Sequence, residues 1–126
     1  MLHKFLALLL FASFHAMAVT PSELLEGYTA RAGQPANAVQ GEAFFKASHG
    51  QEWQCTSCHG KSPMTGGRHA STDNAIEPLA PAANAKRFTD SAKVEKWFRR
   101  NCKDVLAREC TASEKADVLA WLISLR

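Results

Sequence analysis

Cys55-Thr56-Ser57-Cys58-His59 is the segment of this sequence whose residue types and spacing can do covalent and metal chemistry. It is a C-x-x-C-H motif. Two thiols at that spacing can add to the two vinyl groups on one edge of a haem. The residue that follows, His59, is then held beneath the iron as a proximal ligand. Three other chemistries use paired cysteines. A thioredoxin-like C-x-x-C needs a βαβ context, which this sequence lacks. A zinc site would have to recruit Cys102 and Cys110, whose C-x7-C spacing is wide for a zinc finger. A disulfide framework gives no reason for a His directly after the second Cys. The motif therefore predicts haem c, one group, covalently attached through Cys55 and Cys58.

The opposite face of such a haem needs its own account. Electron-carrier cytochromes c place a Met there, well downstream of the motif. Beyond the N-terminal segment this chain has one Met, Met64, five residues past His59 and too close to cross to the other face. The candidates that remain are His49, His69, Asn101, a lysine, water or nothing. His69 is the stronger ligand by type, and the Gly66-Gly67-Arg68-His69 loop could wrap. Asn101 falls on a helical face with Val94, Trp97 and Phe98, a face that must point inward, so that Trp97 would lie against the haem. With Cys55 and Cys58 used, Cys102 and Cys110 are the only remaining pair for a disulfide, which would add roughly 2–3 kcal/mol in the chain-entropy account.

The elements that must position these residues are helical. Thr20-Pro21-Ser22-Glu23 and Thr111-Ala112-Ser113-Glu114 are capping boxes, Asn37 and Asp90 are good N-caps, and Gly33 suits a helix stop. Gly50 to Ala83 holds Gly60, Pro63, Gly66, Gly67, Pro78 and Pro81, and it reads as a long loop with no strand pattern. Such a loop is unusual in a compact domain unless it wraps a cofactor. The fold class is all-α, a small cytochrome c-type domain around one haem. In that arrangement Gly41 and Phe45 of an early helix would cross a final helix at Trp121, with Gly41 permitting the close approach. Lys93, Lys96, Arg99, Arg100 and Lys103 are expected on the side of their helix away from Val94 and Trp97, as a docking face.

The chain has 126 residues, enough for a single domain. Lys4, an apolar run from Phe5 to Phe14, and Ala16-Met17-Ala18 make a secretory signal peptide over residues 1–18, cleaved after Ala18. The apolar run is shorter than the roughly 20 residues a membrane span takes. Residues 19–126 are then the cytochrome domain, expected in the periplasm and not embedded in the membrane. A formal net charge of +3 does not call for nucleic acid as partner.

Several segments together resemble one family. They are Leu24-Leu25 with Gly27-Tyr28, Glu77-Pro78-Leu79-Ala80-Pro81, Arg87-Phe88-Thr89-Asp90, Val94-Glu95-Lys96-Trp97-Phe98, Arg100-Asn101-Cys102, Arg108-Glu109-Cys110-Thr111 and Leu119-Ala120-Trp121-Leu122. They are similar to the sphaeroides haem protein family along almost the whole chain after the signal. The resemblance implies that Asn101, beside the disulfide Cys102–Cys110, is the sixth ligand of the ferric iron. It implies that this Asn leaves on reduction, opening the iron to oxygen or nitric oxide. It also implies a dihaem cytochrome c and a membrane cytochrome b as electron donors. By analogy with other cytochromes c, the Pro78 carbonyl is expected to orient His59. A simple electron carrier with two firm ligands, or a small haem reductase of nitrogen oxides or peroxide, are the competing functions.

Overall fold

The computed structural model describes residues 17–126, so most of the expected signal segment lies outside the described residues. From Val19 onward the chain is tied in, its amide donating to the Thr89 carbonyl at 3.1 Å. Five helices follow in order: α1 Pro21–Ala32, α2 Ala38–Lys46, α3 Cys55–His59, α4 Ser91–Leu106 and α5 Ala112–Ser124. Between α3 and α4 lies a two-stranded antiparallel hairpin, β1 Gly67–Arg68 and β2 Ala75–Ile76, with Gly67 opposite Ile76. Among the described residues no helix is long and apolar enough to cross a membrane.

The helix ends are set by the residues that the sequence marks. Thr20 Oγ1 accepts from the Glu23 amide, and Glu23 reaches back to the Thr20 amide at 2.7 Å. Gly33 ends α1 at φ 67°, the left-handed conformation that lacks a penalty only in glycine. Thr111 and Glu114 repeat the capping box at α5, and Arg108 grips the Glu114 carboxylate through both terminal nitrogens at 2.9 and 2.7 Å. The last helix is the most deeply buried, with Leu119 and Leu122 at its centre and Tyr28 of α1 against the same core.

Helices α1 and α2 both pack on α5. The α2–α5 crossing is close because Gly41 has no side chain: a Cβ there would stand 1.9 Å from the Asp117 carbonyl oxygen. Beside it Phe45 packs on Trp121, ring centroids 5.1 Å apart, as the sequence predicts. The buried Asp117 carboxylate accepts from the Asn37 amide at 2.6 Å, so the start of α2 is anchored on α5.

Helix α4 is attached by side chains. Phe98 meets Tyr28 edge-on at 5.7 Å, and Glu95 takes Lys115 of α5 at 2.9 Å and Arg31 of α1 at 3.4 Å. Burial works against the Glu95 charge, but the Lys115 hydrogen bond and the Lys115 and Arg31 charges hold the carboxyl below its ordinary range. At the far end the Cys102 and Cys110 sulfurs are at disulfide distance, with Cα atoms 5.6 Å apart.

The structure departs from the sequence reading in the 50–83 segment. That stretch is not all loop: it contains α3 and the hairpin. Each strand is two residues long, too short for alternation to show in a sequence.

Candidate functional site

The C-x-x-C-H motif forms the one-turn helix α3, capped by Gln54, whose amide donates to Ser57 Oγ at 3.1 Å. The turn puts both thiols and the imidazole on adjoining corners. Cys55 and Cys58 are free and are not bonded to each other. Burial pushes the Cys55 thiol up to about 11, so it stays protonated at neutral pH. Burial, assisted by the Arg87 charge, brings His59 down to about 4. The ring is therefore neutral at any ordinary pH, the form that ligates metal. It lies 6.0 Å from the Phe45 ring, centroid to centroid, and its Nδ1 is buried without a hydrogen-bond partner.

The hairpin closes over this turn. A Cβ on Gly67 would fall 1.9 Å from the Cys58 carbonyl oxygen, so glycine is required for the approach. The Ala70 amide then donates to Cys58 Sγ at 3.3 Å. Sequence reasoning noted the Gly66-Gly67 pair but not its role, which is to let backbone lie on backbone. Met64 belongs to the same segment, between α3 and the hairpin that packs on it.

His69 is committed to this hairpin. Its Nδ1 accepts from the Ser71 and Thr72 amides, each at 3.3 Å, and its ring meets Trp53 edge-on at 6.0 Å. An imidazole that accepts at Nδ1 carries its proton on Nε2 while neutral, so neither nitrogen offers a free lone pair. His49 is engaged as well, its Nε2 lying 2.9 Å from the Phe44 carbonyl oxygen. His69→Ala is expected to leave the ferric visible spectrum unchanged while lowering stability by about 1 kcal/mol through the lost loop cap. A changed Soret band in that variant would instead mark His69 as an iron ligand.

The expected hydrogen bond from His59 to the Pro78 carbonyl is not formed. That oxygen accepts from Arg87 Nε at 2.9 Å and from Asn84 Nδ2 at 3.4 Å, which uses both of its lone pairs. A guanidinium outcompetes a neutral imidazole for a carbonyl because its bond is charge-assisted. Arg87 also donates to the Glu77 carbonyl at 2.7 Å, so it straps the 77–78 segment down. The sequence marks Arg87 only as part of a family segment and not by this role, because its partners are backbone oxygens.

Helix α4 presents Asn101 one residue before Cys102, half-buried on the arc that carries buried Val94 and the core-packed Phe98. Trp97 stands at the edge of that arc, 42 % exposed, with Lys96 Nζ 5.9 Å and Arg100 Cζ 5.7 Å from its ring centroid. The cations expected on the side away from Trp97 thus include two that flank it. Arg99 differs again, lying 3.7 Å from Glu109. The zinc alternative loses its ligands, since Cys102 and Cys110 lie against each other, and no group of three or more His, Cys, Asp or Glu gathers for a metal among the described residues.

Residues 31–122 match the family model described as "Domain of unknown function (DUF1924)". Cytochrome c-type protein SHP of Cereibacter sphaeroides is 48% identical over 107 residues, which cover 82% of each chain. The chain belongs to the sphaeroides haem protein family. Cytochrome c'' of Methylophilus methylotrophus is 45% identical over 80 residues, 64% of this chain and 56% of that one. The fold agrees with that of oxidised SHP, described as an oxygen-binding cytochrome c, at a TM-score of 0.80 and 47% identity, covering 84% of this chain and 97% of that one. Oxidised cytochrome c'' superposes with a TM-score of 0.72 at 36% identity, covering 84% and 94% of the two chains.

Membership of the sphaeroides haem protein family makes this a c-type cytochrome fold, and the cytochrome c-type relatives imply a covalently bound haem. The α3 turn fits such a group on its own chemistry. It offers two unlinked thiols, an imidazole that burial keeps neutral, and a buried Nδ1 with no hydrogen-bond partner.

Proposed function

We propose that this chain is an exported monohaem cytochrome c whose sixth ligand, Asn101, holds the ferric iron and releases it on reduction, so that small ligands such as oxygen or nitric oxide can bind. Cys55 and Cys58 carry the haem, and His59 is the permanent axial ligand. Bound there, the haem supplies an iron that exchanges one electron and accepts diatomic ligands. The observation that carries the reading is Asn101 itself: a half-buried amide on the inward arc of α4, next to the cysteine that ties α4 to the start of α5.

The competing ligands are held elsewhere. His69 is bonded within its hairpin loop, His49 donates from Nε2 to the Phe44 carbonyl of α2, and Met64 sits with the segment that folds over α3. An amide oxygen is a hard, weak donor, which ferric iron tolerates better than ferrous iron does. A bond between Cys102 and Cys110 would keep the end of α4 in register with α5, so a released Asn101 remains close enough to return. Trp97 borders the same arc and would contact the haem. Pro78 has no part in this reading.

Signal cleavage after Ala18 would deliver residues 19–126 to the periplasm, where a dihaem cytochrome c and a membrane cytochrome b are the expected donors. Optical spectra of oxidised and reduced protein, with and without carbon monoxide, test the whole reading. The reduced form is expected to be high-spin and to take carbon monoxide at once. Boiling in denaturant should leave one haem on each chain. A reduced form that is low-spin and inert to carbon monoxide would favour the simple two-ligand carrier.

A further inference from the structure

Six cations among the described residues are paired where they stand. Glu95 takes Arg31 and Lys115, Glu42 takes Lys46, Asp73 takes Arg68, Glu109 takes Arg99, and Glu114 takes Arg108. Of the cations without such a partner, four gather on helix α4. Among the described residues Lys93, Lys96, Arg100 and Lys103 have no carboxylate within ion-pair distance, and all four are exposed. Their spacing of three, four and three residues places them within about 80° of arc at 100° per residue. Asp104 is the one acid on that side of the helix, near its end. Glu95 faces the other way and is occupied by Lys115 and Arg31.

Trp97 lies between this stripe and Asn101 on the helix surface. Two of the four cations stand over its ring, at 5.9 and 5.7 Å. An exposed Trp between Lys and Arg is the composition of an interface anchor with a charged rim. We propose that the stripe of Lys93, Lys96, Arg100 and Lys103, with Trp97 at its edge, docks the acidic face of an electron-donating redox protein. This rests on the haem reading above. One electron leaves the donor's reduced cofactor and converts ferric iron to ferrous, and the donor is oxidised by one electron. A partner seated there would cover Trp97 and lie one helical turn from Asn101. An anionic membrane is the weaker occupant, because Trp97 is the only large apolar side chain on that side and membrane-surface helices need a broad apolar face.

The test uses ferric holoprotein, with reduced flavodoxin as an acidic protein donor and reduced lumiflavin as a neutral small donor, in stopped flow. The flavodoxin rate constant is expected to fall with ionic strength. It should drop a further about tenfold in Lys96→Glu/Arg100→Glu, while the lumiflavin rate changes less than about twofold. Lys46→Glu/Lys61→Glu makes the same charge change at another surface and should keep most of the flavodoxin rate. Equal losses in both double variants would show a net-charge effect and overturn the site, as would no loss in either. Sedimentation with phosphatidylglycerol vesicles that is lost in Lys96→Glu/Arg100→Glu, with an unchanged flavodoxin rate, would reassign the stripe to a membrane. Carbon monoxide binding to the ferrous form of each variant reports on the haem reading separately. Its failure in wild type would sink that reading and leave the docking result standing.

Discussion

Gly41→Ala is expected to lower the melting temperature of the holoprotein by about 10–20 °C, the consequence of losing about 3 kcal/mol. The new Cβ would stand 1.9 Å from the Asp117 carbonyl oxygen, 2.3 Å from its carbon and 2.7 Å from the Val118 nitrogen. All three atoms are α5 backbone, so no side chain can swing aside, and the two helices have to separate. Separation weakens the Phe45–Trp121 contact at 5.1 Å and the Asn37–Asp117 hydrogen bond at 2.6 Å. Alanine is the better helix former by about 1 kcal/mol, which works against the loss but is smaller than it. Gly27→Ala isolates that opposing effect. Gly27 lies inside α1, and a Cβ there would meet nothing within 4 Å. That variant should melt a few degrees higher than wild type. Thermal melts followed by circular dichroism give both numbers. A Gly41→Ala protein that melts with wild type would mean that α2 and α5 do not cross where Gly41 lies.

The contrast between those two glycines shows where the sequence was readable. Gly41 could be assigned because Phe45 and Trp121 accompany it in a recognisable pattern. The helix ends could be assigned because Thr20, Asn37, Asp90 and Thr111 act on amides only three residues away. Interactions that span the loop were not legible. Gly67 is needed for its approach to Cys58, nine residues earlier, and nothing in the local pattern points to that partner. The Pro78 carbonyl is chemically like any other. Only the folded path of the chain brings Arg87 and Asn84 to it and leaves His59 Nδ1 alone. The position of Trp97 was half legible. Helical spacing puts it near Asn101, while its exposure depends on where the α4 face ends.

Asn101→Ala is expected to open the ferric iron to added ligands. A ligand that leaves the iron open in about one molecule of 100 would lower a competitor's apparent affinity about 100-fold, so with such an occupancy removing Asn101 should raise azide or imidazole affinity by that factor. Ferrous protein should change little, because on the proposed reading the amide leaves the iron on reduction. That asymmetry separates Asn101 from a merely structural residue, whose loss would disturb both oxidation states alike. Asn101→His makes the converse test. Imidazole suits ferrous as well as ferric iron, so the variant should remain low-spin when reduced and should bind carbon monoxide far more slowly than wild type. Both effects need residue 101 to face the haem, as its place on the arc with Val94 and Phe98 implies. The α4 attachments through Glu95, Phe98 and Cys102 remain in either variant, so helix position is a constant in the comparison. Should Asn101→Ala bind azide no better than wild type, and Asn101→His bind carbon monoxide as fast, the amide is not the sixth ligand. The search would then pass to His69, which would first have to give up its bonds to the Ser71 and Thr72 amides.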